Sequence, residues 1–127
     1  MKIGELAKRC DLSVHTIRYY ERIGLLPFVD RDRSSHRDYD ATILPWIAFL
    51  GRLKTTGMPV RDMLRYARLR QRGRETEAER RHLLEQHRQC VSEHVARLQE
   101  CLLVLDGKIA GYADSERKDQ DHAPQAQ

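Results

Sequence analysis

Residues 13–26 read SVHTIRYYERIGLL, and the reading of this stretch decides where the rest of the chain goes. Ser13 carries the short oxygen side chain that caps a helix start, and Gly24 is the residue type favoured just past a helix end. Between them Ile17 is the one committed apolar position. With Ile17 facing a core, a rotation of about 100° per residue brings Val14 and Glu21 to the same side. His15, Arg18, Tyr19 and Arg22 then point outward, with Thr16 and Tyr20 on the flanks. Such a helix buries little and offers most of its surface to a partner.

Upstream, Ile3, Leu6, Ala7 and Cys10 follow the i, i+3, i+4, i+7 spacing of a one-sided helix. Gly4 is the expected N-cap, and Glu5 suits the first turn. Asp11-Leu12 makes the turn into the next helix, because Asp tolerates the left-handed conformation of a helix exit. Two short helices joined by a tight turn give a helix-turn-helix outline, whose second helix enters the DNA major groove. There Arg and His donate to guanine edges and tyrosine hydroxyls reach phosphates. The competing reading packs one tyrosine on the core and leaves the arginines solvated.

Downstream, Leu25-Leu26-Pro27 leaves the helix in extended form, since the residue before proline is pushed out of the helical region. FVDRDRSSHRDY (28–39) then reads as a hairpin or wing with a basic face and a Ser34-Ser35 tip. Asp40 caps a third helix at 41–55, with Ile43, Trp46, Ile47, Leu50 and Leu53 inward and Gly57 ending it. Pro59 starts a fourth, with a buried face of Val60, Met63, Leu64 and Ala67. On another face Arg61, Arg65, Arg68 and Arg72 form one stripe, which is either solvated or tracks phosphates.

After Gly73 the pattern changes. Leu84, Val91, Leu98, Leu105 and Tyr112 lie seven apart, and Val95, Leu102 and Ile109 form a second series offset by four, with Arg88 the untidy first member. Such a/d heptads on one long helix need a second helix to cover them, most simply another copy of the chain. The expected organisation is a DNA-binding domain over 1–74, a dimerisation helix over 75–112 and a disordered tail over 113–127.

Charge follows the same division. Residues 1–75 carry 16 Lys and Arg against 9 Asp and Glu, a net +7, while residues 76–127 carry 7 against 10, a net −3. An anionic partner therefore belongs to the first part, unless its charge is ordinary solvated surface. Nothing in the chain reads as a membrane span or a signal peptide, so a cytoplasmic protein with no membrane partner is expected. Three cysteines at wide spacing fit neither a disulfide framework nor a metal knuckle. No nucleophile with a base, phosphate loop or carboxylate pair suggests an enzyme or a cofactor. A coiled-coil adaptor without DNA binding explains residues 76–112 and leaves the basic first part unexplained.

The order IGELAKRCDLSVHTIRYYERIGLLP, a basic wing ending RDY, LKTTGMP, a basic amphipathic helix and one long helix resembles the MerR family of bacterial transcription regulators over residues 1–112. The resemblance implies a mainly α fold: a winged helix-turn-helix DNA-binding domain followed by a long dimerisation helix, paired as an antiparallel coiled coil in a homodimer. It implies binding to double-stranded promoter DNA, which is bent and untwisted on effector binding so that RNA polymerase can use it. Carried onto this chain, it places Arg18 and Tyr20 on DNA, Arg37 and Tyr39 of the wing on the backbone, and Lys54 and the stripe led by Arg61 on phosphates. Val14 and His15 are the base-reading candidates. Thr16, Tyr19, Arg33 and Arg65 complete the expected DNA-facing set.

The effector is less determined. Metal-sensing members place two cysteines after the long helix, whereas this chain has none after Cys101, and Glu77 stands where such sensors often have Cys or Ser. His87, Cys90 and His94, at i, i+3 and i+7, remain a cryptic metal candidate and the basis of a metal-responsive alternative. WIAFLGRLKTTGMP more closely resembles the aldehyde- and electrophile-responsive branch, where a cysteine precedes the LKxTGM segment. Here that position is Arg52. Cys10 is buried on the core face by its spacing, so Cys90 and Cys101 are the thiols left as effector candidates for a stress response.

Overall fold

A computed structural model describes residues 1–27 and 38–121. These form five α-helices: α1 (Ile3–Cys10), α2 (Val14–Ile23), α3 (Ile43–Thr55), α4 (Val60–Gln71) and α5 (Glu77–Asp121), with a 3-10 turn at Arg74–Thr76 before the last. The described residues contain no strand, and the wing expected at 28–39 lies outside them except for Asp38 and Tyr39. No described helix is long and apolar enough to cross a membrane.

The chain divides into two units, Met1–His87 and Arg88–Gln127. The first holds the core. Leu6 of α1, Ile17 and Tyr20 of α2, Leu25, Leu26 and Tyr39, the α3 residues Ile43, Trp46, Ile47, Leu50 and Leu53, and Met63, Ala67 and Leu69 of α4 are all buried. Leu83 joins them, so this unit takes in the start of α5 and reaches past the boundary expected at residue 74. Val60, expected inward, is 46% exposed. It opens the first turn of α4, and Leu69 near the other end of that helix is buried in its stead.

Three helix exits use one device. Asp11 (φ 54°), Gly24 (φ 93°) and Gly57 (φ 86°) are all left-handed, and the next residue's N–H returns to a carbonyl five residues back: Leu12 to Ala7, Leu25 to Tyr20 and Met58 to Leu53. Asp tolerates this conformation through its short polar side chain, and glycine adopts it without a Cβ clash. The start of α1 differs from expectation, since Lys2 rather than Gly4 occupies the cap position. Asp40 precedes α3 as expected, its carboxylate accepting the Thr42 N–H at 2.9 Å.

The second unit is helical throughout its described length, and most of its described apolar residues are exposed. Val95, Leu98, Leu102, Leu105, Ile109 and Tyr112 are all at least 45% exposed. The helix also runs through 113–121, where a disordered tail was expected. No Pro breaks that segment, Ala113 and Glu116 favour helix, and Arg117 pairs with Asp114 one turn back.

Candidate nucleic-acid interface

Helix α2 is presented by two fixed ends and a narrow buried edge. At its start the Ser13 hydroxyl accepts the Thr16 N–H at 3.0 Å and lies 2.9 Å from the Thr16 hydroxyl. At its end the Leu25 carbonyl, just past the Gly24 exit, accepts the Trp46 indole N–H at 2.8 Å. The end of α2 is thereby tied to α3. The buried edge is Ile17, wholly enclosed, and Tyr20, 5% exposed, with Val14 partly buried against the same cluster.

The opposite face is open. His15, Arg18, Tyr19 and Arg22 are exposed, and the Arg22 guanidinium stands 5.5 Å from the centre of the Tyr19 ring. That contact holds a cation and an aromatic plane side by side on the surface, at a cost in side-chain entropy that a purely solvated arginine avoids. Arg22 was not in the expected DNA-facing set, although its outward rotation was readable from the helix period.

Two expected DNA contacts are corrected. Tyr20 returns to within about 60° of Ile17 after three residues of helix, and its ring is buried in the core rather than turned to a partner. Tyr39 is 2% exposed. Its hydroxyl donates to the Glu21 carboxylate, and its N–H donates to the Met1 carbonyl at 2.7 Å. Tyr39 therefore braces α2 from behind. Thr16 is half-buried and engaged with Ser13. Arg33 and Arg37 lie outside the described residues.

A second basic surface lies at the end of α3 and along α4. Lys54 is exposed at the end of α3, and Arg61, Arg65 and Arg68 are exposed along α4, with Arg72 exposed just past its end. Their four-three-four spacing keeps them within a narrow line along about 16 Å of helix. Arg61 has only a long contact with Asp62, at 4.0 Å, and Arg72 lies 3.7 Å from Glu75. Both pairs are exposed, and pairs of that kind contribute little and leave the cations available to phosphates.

The effector candidates do not converge. Cys90 and Cys101 are free and exposed, while Cys10 is half-buried, and burial pushes its thiol up from the ordinary value. Among the described residues no three His, Cys, Asp or Glu side chains are grouped to hold a metal ion. The cryptic set of His87, Cys90 and His94 is not among such groups. The His87 Nε2 also lies 2.7 Å from the Thr56 hydroxyl, a contact that no sequence spacing signals.

Comparison with known proteins agrees with this geometry. The family model "MerR family regulatory protein" matches residues 2–39. The HTH-type transcriptional regulator AdhR of Bacillus subtilis is 37% identical over 93 residues, 73% of this chain and 66% of that protein. An HTH-type transcriptional regulator of Haemophilus influenzae is 36% identical over 109 residues, 86% of this chain and 81% of its own length. Among solved structures, HiNmlR, described as a MerR family regulator lacking the sensor domain and bound to promoter DNA, superposes with a TM-score of 0.81. It is 33% identical, with 91% of this chain and 92% of that one covered. With its helix-turn-helix, its long final helix and relatives that match along most of their length, the chain belongs to the MerR family of transcriptional regulators.

Proposed function

We propose that this regulator is a cytoplasmic protein that binds double-stranded promoter DNA as a homodimer and switches transcription by distorting that DNA in response to an effector. The observation that carries the reading is the outward face of α2, with His15, Arg18, Tyr19 and Arg22 exposed on a helix whose other edge is locked to the core. A helix held in this way enters the major groove without refolding, its side chains free for base edges and phosphates. Lys54, Arg61 and Arg65 add phosphate contacts, which carry affinity and register rather than sequence information. The exposed seam of α5 supplies the dimer and thereby two copies of α2 for two half-sites. RNA polymerase is reached through the promoter, since bending or untwisting DNA takes several kcal/mol that many backbone contacts can offset. The relative bound to promoter DNA supports the reading.

Binding of the dimer to the promoter region of its own gene, measured across a salt series, tests it. Affinity falls steeply with salt, and Arg18→Ala weakens it by about tenfold or more while circular dichroism stays unchanged. Salt-insensitive binding, or none to any duplex, sinks the reading.

A further inference from the structure

Between the end of α1 and the outer side of α3 the DNA-binding unit has a groove of about 540 Å³. Its volume falls within the range of small-molecule sites, which are mostly apolar with a few placed polar groups. The buried residues Ile47 and Tyr20 line it, and on α3 the exposed residues Ala48 and Gly51 keep it open by their size. A Cβ added at Gly51 would meet nothing within 4 Å.

The groove also holds a buried side chain with an unanswered polar end. The Tyr20 ring is 5% exposed, yet its hydroxyl takes no hydrogen bond from the described residues. No enclosed side-chain N or O among them lacks a partner, so the Tyr20 oxygen keeps some exposure, and Tyr20 is one of the residues lining the groove. A tyrosine serving only as core would do as well as phenylalanine there. The hydroxyl is a donor left over for a ligand. Arg9, bonded to Glu5 at 2.8 Å in an exposed pair, lies on the same lining. Burial pushes the Cys10 thiol, another group on the lining, up from its ordinary value, which makes it a poorer nucleophile.

We propose that this groove is a noncovalent binding site for a small aromatic carboxylate, whose ring lies against Ile47, Ala48 and Gly51 and whose carboxylate accepts the Tyr20 O–H beside Arg9. The site touches α1, α2 and α3 together, so a ligand in it bears on the seating of α2. It does not require the DNA-binding reading, because occupancy is measured on the protein alone.

The experiment is titration of the full chain with 2-naphthoate, read by calorimetry and by saturation-transfer NMR. One site per chain is expected. Tyr20→Phe, which keeps the ring, weakens binding by about tenfold, the loss of one hydrogen bond to a charged acceptor. Ala48→Trp fills the groove and abolishes binding, and Gly51→Leu does so independently should Ala48→Trp disturb the fold. No saturable binding by the wild type, equal affinity in Tyr20→Phe, or undiminished binding in a folded filled variant overturns the site.

Discussion

The two units of this chain treat apolar residues in opposite ways. In Met1–His87 most of the described large aliphatic and aromatic residues turn inward, Tyr19 and Val60 excepted, and Leu6, Ile17 and Leu50 have no exposed surface at all. In α5 beyond His87, Leu98, Leu102, Leu105 and Ile109 are half exposed or more. The difference separates a fold that closes within one chain from one that waits for a second. Exposed apolar residues in a regular heptad mark a surface to be buried, whereas the same number scattered singly need no explanation.

The strongest way to break the comparison is to charge the seam. Leu98→Asp with Leu105→Asp puts carboxylates where two helices would meet, and burying unpaired charge costs several kcal/mol per site. Sedimentation at micromolar concentration should show a dimer for the wild type and a monomer for the double variant. The Met1–His87 unit should keep its helical signal, because none of its core residues is touched. A wild-type monomer under the same conditions contradicts the dimer.

A smaller effect sharpens the same contrast from the other side. Leu50→Ala removes a fully enclosed side chain from the α3 core, and substitutions of that kind cost about 2–5 kcal/mol. Thermal unfolding should show this loss at every protein concentration. Leu102→Ala should instead lower the melting temperature most in dilute samples, where dimer and monomer exchange. Equal concentration dependence in the two variants would mean that the units are not energetically distinct.

The features legible in the sequence were those fixed by neighbours along the chain. Ser13, Asp11, Gly24 and Gly57 act through caps and left-handed exits that involve only a few residues on either side, and each does what its residue type dictates. Ile17, Leu6 and Leu50 follow from helix period. The tyrosines did not follow. Tyr19 and Tyr20 are adjacent and chemically identical, and only tertiary packing decides that one ring is surface and the other core. Tyr39 was read as a backbone contact, but its partner Glu21 lies 18 residues away, a pairing no local pattern reveals. The same holds for Thr56 and His87, 31 residues apart. The helix at 113–121 was missed for another reason: a segment with nothing to bury was equated with disorder, although helix propensity and continuity need no buried face.

The smallest effect expected belongs to the entry into α3. The Asp40 carboxyl sits below its ordinary value of 3.8 because it accepts the Thr42 backbone N–H and, next in size, a hydrogen bond from the Thr42 side chain; the N-terminal ammonium adds to this, while desolvation and the Asp38 charge oppose it. A carboxyl whose folded value is depressed binds its proton more readily in the unfolded chain, so its contribution is present above the unfolded value and is lost as pH falls through the folded one. Asp40 is fully exposed, so solvent screens the effect. Melting temperatures of wild type and Asp40→Asn should therefore differ most above about pH 5 and converge as pH falls well below 3.8. A gap that stays constant from pH 6 to pH 2.5 would show that the Asp40 charge contributes nothing to the cap, and that α3 is held in place by Trp46 and Leu50 alone.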